Sequence, residues 1–118
     1  MQEWVRGVIA AIERRAEGFV VAFDRSIQGI RDPEFLYQWA LMASQVGDTT
    51  RALDTLERVV DRGWCCAASM ARDPWLDHVR DEPRFITLLR KAEERHRAAA
   101  NAFREAGGDR LLGVTTVA

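Results

Sequence analysis

The sequence predicts an all-α protein, and three observations lead to that fold class. Apolar residues recur at steps of three and four along every long segment, as in amphipathic helices. Asp-Pro and Glu-Pro pairs mark helix starts, because aspartate caps a helix and proline is tolerated in its first turn. No segment shows the sustained alternation of apolar and polar residues that predicts a strand. With 118 residues, the chain has the length of one domain with its own core.

The N-terminal apolar stripe predicts one long first helix over about residues 3–28. The stripe stays in phase across Gly18, so we expect the helix to continue there, with a break at this glycine as the alternative. Gly29 then provides the C-terminal stop. The stripe consists of Val5, Val8, Ile9, Ile12, Phe19, Val20, Phe23, Ile27 and Ile30.

A pair of helices is predicted to follow. The Asp-Pro pair at 32–33 begins a helix that we expect to reach about Val46. Gly47-Asp48 then turns the chain into a third helix, which stops at Gly63.

The rest of the chain is predicted to form a corner and a closing helix. Residues 64–72 are expected to make one or two helical turns, and the Asp-Pro pair at 73–74 begins another short turn. The Glu-Pro pair at 82–83 begins a long last helix that ends at Gly107-Gly108.

We therefore expect a single helical domain at 1–106 and an apolar tail at 107–118. The tail carries Leu111, Leu112 and Val114, which is unusual for a free chain end. It is expected either to pack back or to pair with another chain.

The residues of segment 33–63 have the spacing of a packed helix pair. Small residues let two antiparallel helices approach, a glycine makes the turn, and larger residues fill the groove shared with a neighbouring pair. The motif residues are Leu36, Trp39, Ala40, Ala43, Gly47, Ala52, Leu56 and Val59. In this pattern the segment resembles a tetratricopeptide repeat.

The segment after this pair is similar to the terminal part of tetratricopeptide regions in bacterial multidomain regulators. With it, the resemblance covers about residues 32–105 and implies helix pairs closed by a long C-terminal capping helix. It also implies a non-catalytic scaffold for protein–protein interaction. The matching residues are Gly63-Trp64, Asp73-Pro74-Trp75 and Glu82-Pro83-Arg84-Phe85.

The resemblance implies a partner-binding surface on the inward face of helix 33–46. No Lys, Arg or Asn occurs on that face, so the carboxylate clamp of one tetratricopeptide subclass is not expected. An apolar or basic peptide would suit the face better. The candidate binding residues are Glu34, Tyr37, Leu41, Ser44 and Gln45.

The polar stretch 72–85 is predicted to be a corner between helices and not a metal site. Its three aspartates, one of them adjacent to a histidine, could share one face only on a continuous helix, and two prolines interrupt that helix. The four side chains are Asp73, Asp77, His78 and Asp81, and the prolines are Pro74 and Pro83.

A cysteine nucleophile is the other catalytic hypothesis. Cys65 or Cys66 could meet His78 or His96, but nothing in the sequence supplies an oxyanion hole. Small buried cysteines in a reduced compartment are the simpler interpretation. We therefore predict no catalytic residue, no metal and no cofactor.

Net charge and composition limit the classes of partner that we expect. The net charge is −1, which argues against nucleic acid or a membrane as the partner. The charge is uneven, with −5 over residues 32–83 and +3 over residues 84–118, which indicates intramolecular or head-to-tail complementarity. A single lysine among 17 basic residues is typical of a GC-rich bacterial gene, and the absence of a long apolar run predicts a cytoplasmic protein.

The function that we predict is binding of a protein or peptide of unknown identity. The alternative is an oligomerisation or structural module of a larger regulator, without a ligand of its own. The length of the first helix and the apolar tail also predict a homodimer.

Overall fold

The structure, a computed structural model, describes residues 1–64 and 66–113. These residues are all-α, as predicted, with seven α-helices and two 3-10 turns and without a strand. The α-helices are α1 (Gln2–Ile12), α2 (Ala16–Ser26), α3 (Pro33–Gln45), α4 (Thr49–Asp61), α5 (Ala67–Arg72), α6 (Pro83–Glu105) and α7 (Gly108–Leu112). The 3-10 turns are Ile27–Gly29 and Pro74–Leu76.

The prediction of one long first helix over residues 3–28 is wrong. The chain breaks after α1 at Arg14, which has a left-handed φ of 55°. The Arg15 N–H then donates to the Ala10 carbonyl at 2.8 Å, which closes α1 with the backbone bonds that usually accompany a glycine. Gly18, the alternative breakpoint, lies inside α2. The predicted long helix is therefore a hairpin of two helices, α1 and α2, that pack against each other.

The hairpin of α3 and α4 begins and turns where the sequence predicts. The Asp32 side chain accepts the Glu34 N–H at 2.9 Å, and the Asp48 side chain accepts the Arg51 N–H at 3.1 Å. Gly47, with φ 84°, makes the turn between the helices. The other seven motif residues have no exposed surface, and they are Leu36, Trp39, Ala40, Ala43, Ala52, Leu56 and Val59. The helix pair therefore forms the centre of the core.

The stretch 72–85 is the predicted corner. Asp73 Oδ1 accepts the Trp75 N–H at 3.0 Å and so caps the second 3-10 turn. Arg80 ties the corner together, because its guanidinium donates to the carbonyls of Met70 and Asp73 at 3.2 and 2.8 Å. The corner buries Leu76, Val79 and Phe85.

The N-terminal half of α6 closes the far side of α4. Arg84 pairs with Asp54 and Glu57 at 2.8 and 2.9 Å, and Lys91 pairs with Asp61 at 2.6 Å. The Lys91 ammonium also lowers the pKa of the Asp61 carboxyl. These pairs join the acidic middle of the sequence to the more basic last helix within one molecule. They are the intramolecular form of the predicted charge complementarity.

The C-terminal half of α6 extends beyond the body. The last buried residue of α6 is Ala92, although the helix continues to Glu105. Gly107, with φ 85°, then turns the chain so that Gly108 packs against the Phe103 ring and α7 folds back on α6. The leucines of α7 stay exposed, and Val114 lies outside the described residues.

Candidate functional site: an apolar groove over α3

An apolar groove of about 380 Å³ lies over α3. Its floor is α3, one wall is α1, and the other wall is the corner at the second 3-10 turn. The lining residues are Trp4, Val8, Gln38, Leu41, Met42, Asp73 and Trp75. The groove is therefore built from three parts of the chain that are distant in sequence.

Trp4 forms the wall on the α1 side in a fixed orientation. Its Nε1 donates to Gln38 Oε1 on the groove floor at 3.0 Å. Its ring stacks on Phe35, with centroids 6.4 Å apart and planes 20° from parallel. Because the indole is held through its N–H and through one ring face, the side chain is preorganised before any partner arrives.

Asp73 forms the opposite wall together with Trp75. Asp73 Oδ1 accepts the Trp75 N–H, and Oδ2 accepts the Tyr37 hydroxyl at 3.2 Å. Tyr37 is in turn stacked on Trp64, with ring centroids 4.4 Å apart. Burial and the Asp73 charge raise the pKa of the Tyr37 hydroxyl, so it stays protonated and donates its hydrogen bond.

In the described chain, the Asp73 carboxylate forms no ion pair. Among the described residues, no Arg, Lys or His nitrogen lies within 4.0 Å of it. Arg80 is the near cation, but its guanidinium binds backbone carbonyls and the Asp77 carboxylate at 3.0 Å. The groove therefore contains one half-buried negative charge that only neutral donors satisfy.

The predicted binding face overlaps this groove only in part. Leu41 lines the groove, and Glu34 and Gln45 lie outside its lining. Tyr37 and Ser44 are buried, at 7% and 0% exposure, so they do not present an open face. They lie on the side of α3 that packs into the core. Helical spacing alone does not distinguish this side of the helix from the side that lines the groove.

Six of the seven lining residues were missing from the predicted face, and they are Trp4, Val8, Gln38, Met42, Asp73 and Trp75. Gln38 follows Glu34 by four residues and precedes Leu41 by three, so its helical spacing was a usable signal. Trp4 and Val8 come from α1, and no sequence pattern indicates that α1 crosses over α3.

The other candidate residues, Asp77, His78 and Cys66, lie outside the groove lining. Asp77 pairs with Arg80 at the surface, His78 is exposed, and Cys66 Sγ lies 2.9 Å from Ser69 Oγ. In the described part of the chain, no three His, Cys, Asp or Glu side chains converge as they would around a metal ion. The hypothesis on Cys65 falls outside the described residues.

No protein-family model, curated protein or solved structure matches the chain. The resemblance to tetratricopeptide repeats therefore stays a prediction. The fold and the groove themselves define the class of the protein, which is an all-α chain with an apolar groove over its third helix. None of the described helices combines the length and the apolar character that a bilayer-spanning segment needs.

Proposed function

We propose that the chain is a non-catalytic interaction module of tetratricopeptide type, which binds a segment of a partner protein in the groove over α3. The observation that carries this proposal is the groove itself, apolar and flanked by Trp4 and Trp75. Tryptophan is the residue type most enriched among those that dominate binding energies at interfaces. A bacterial, cytoplasmic setting is part of the same proposal and rests on composition.

The rigidity of the groove supports this function. Its floor helix packs against α1, α2, α4 and the second 3-10 turn, so it has little freedom to move. The Trp4 side chain is held by Gln38, and the backbone at Trp75 is held by the cap at Asp73. A preformed site loses less conformational entropy on binding than a mobile one, which favours recognition of a short segment.

Selection from a random-peptide display library tests the proposal. We expect enriched peptides whose affinity falls about tenfold when Leu41→Ala removes apolar contact from the groove floor. The measurement is fluorescence titration of labelled synthetic peptides. Leu89→Ala is the matched control, since Leu89 is also half-buried but lies on α6.

Two outcomes would contradict the proposal. One is that no peptide is enriched. The other is that the enriched peptides bind the Leu41→Ala and Leu89→Ala variants equally well.

A second candidate function is self-association, as an oligomerisation module of a larger regulator. One of its two bases in the sequence, the long first helix, is lost because α1 and α2 form a hairpin, whereas the tail leucines Leu111 and Leu112 remain exposed. A different observation favours it: Val5, Ile9 and Ile12 on α1 are 43%, 44% and 65% exposed. These residues follow one another by four and three positions, so they form a continuous apolar stripe that a second copy could cover.

A further inference from the structure

The acidic side chains of this protein differ in how their charge is compensated. Asp54, Glu57, Asp61 and Asp77 each have an Arg or Lys nitrogen within 3.0 Å. Asp73 has only the Tyr37 hydroxyl and a backbone N–H, both neutral donors. It is nevertheless less exposed than those four side chains. Asp73 is thus a half-buried acid whose carboxylate, within the described chain, is satisfied by neutral donors alone.

The Asp73 carboxylate has unused hydrogen-bond acceptor capacity, and Asp73 lines the groove. Each of its oxygens accepts one hydrogen bond, whereas an ionised carboxylate has about four acceptor sites. Asp73 is also a lining residue of the groove, and no lining residue carries a positive charge. A group that enters the groove therefore meets an acceptor with unused lone pairs.

The remaining lining residues can contact both the methylene stem and the charged head group of a basic side chain. Trp75 adjoins Asp73, and Trp4 forms the opposite wall. Indole faces attract Arg and Lys heads, and the methylene stem of either residue covers apolar surface such as Leu41 and Val8. An acidic or phosphorylated segment would instead bring a second negative charge against Asp73.

We propose that the occupant of the groove is a peptide segment with an Arg or Lys next to an apolar residue. The cationic head binds Asp73 beside Trp75, and the apolar neighbour lies on Leu41 and Met42. This inference rests on the proposed function and specifies the chemistry of the partner.

The test compares two aspartates that share one structural role. Asp73 and Asp32 each precede a proline and each accept the N–H two residues further on, at 3.0 and 2.9 Å. Asparagine caps as well as aspartate, so Asp73→Asn and Asp32→Asn both keep the cap and both remove one negative charge. Only Asp73 lines the groove.

The probes are the peptides that the display library enriches on the unmodified protein. We expect them to contain Arg or Lys, and we expect Asp73→Asn to weaken them about tenfold while Asp32→Asn does not. Replacing the peptide arginine with citrulline, its neutral isostere, should cause the same loss on the unmodified protein and no further loss on Asp73→Asn. Binding of the arginine peptide should also weaken between about 0.05 and 0.5 M NaCl.

The outcomes separate this inference from the proposed function. Peptides that require Leu41 but lack a cationic residue, or that bind Asp73→Asn unchanged, would overturn the inference and leave the groove as a binding site. If Asp73→Asn and Asp32→Asn lower the peptide affinity equally, the net charge of the protein and not the position of Asp73 determines the affinity. That result would overturn the role of Asp73. An absence of Leu41-dependent peptides would overturn both. If Asp73→Asn fails to fold, the citrulline comparison on the unmodified protein decides.

Discussion

At the scale of single residues, two glycines that look alike in the sequence have different roles. Gly7 in α1 is buried, and a Cβ at this position would lie 2.8 Å from Cζ3 of Trp39. Trp39 is fully buried and in ring contact with Phe19 and Phe23, so it has no room to withdraw. Gly7 therefore allows α1 to approach α3, and this approach places Trp4 over the groove.

We expect Gly7→Ala to lower the free energy of unfolding by about 1–3 kcal/mol, the usual cost of overpacking a core. This loss should occur although alanine is the better helix former. Urea unfolding followed by circular dichroism measures it.

Gly18→Ala is the matched control for this prediction. Gly18 also lies inside a helix, but the nearest atom to a Cβ there is that of Ala10 at 3.7 Å, an ordinary contact. The substitution should raise the free energy of unfolding by up to about 1 kcal/mol through helix propensity. If the two alanine variants are equally stable, Trp39 does not limit the approach of α1.

At the scale of elements, α6 is one helix with two different halves. Phe85, Leu88 and Ala92 bury its N-terminal half against the body. Beyond them, Arg95 reaches back to the Val60 carbonyl, and no later residue of α6 is buried. The C-terminal half is stabilised by helix propensity and by α7, without a core of its own.

Hydrogen exchange should therefore distinguish the halves of α6. We expect the amides of residues 98–105 to exchange much faster than those of residues 88–92, because opening the projecting half breaks little tertiary contact. The amides of α4, which is packed along its whole length, provide the internal reference. Equal protection along α6 would mean that a second molecule covers the projecting half.

The accuracy of the sequence analysis also differs from element to element. The starts of α3, α4 and α6 and the turn at Gly47 were predictable, because local signals set each of them: an aspartate cap, a proline or a glycine. The break at Arg14 had no such signal, since backbone hydrogen bonds alone close α1 and the apolar stripe stays in phase across the break.

The groove was predictable only where one helix contributes to it. Leu41 followed from the spacing on α3, whereas Trp75 was predicted only as a structural residue of the Asp-Pro turn. Trp4 and Val8 depend on how α1 crosses α3, and that crossing is decided by close packing at Gly7, which a one-dimensional pattern does not contain.

At the scale of the whole molecule, charge and apolar surface lead to different expectations about assembly. The basic residues Arg84 and Lys91 are neutralised by the acids of α4 in the same chain, which leaves little charge asymmetry to drive head-to-tail association. The apolar stripe of Val5, Ile9 and Ile12 is not covered in this way. Any self-association should therefore be insensitive to salt and should depend on this stripe.

We expect the protein to be a homodimer by light scattering at about 100 μM, a concentration that populates dimers of micromolar affinity. Ile9→Arg should shift the mass to that of a monomer, because the charged head group would have to be buried in the dimer interface. The fold should tolerate the change, since Ile9 is 44% exposed. Ile86→Arg is the matched control, because Ile86 is 48% exposed on α6 and lies outside the stripe. A monomeric mass for the unmodified protein, or equal effects of the two arginine variants, would rule out a dimer formed through α1.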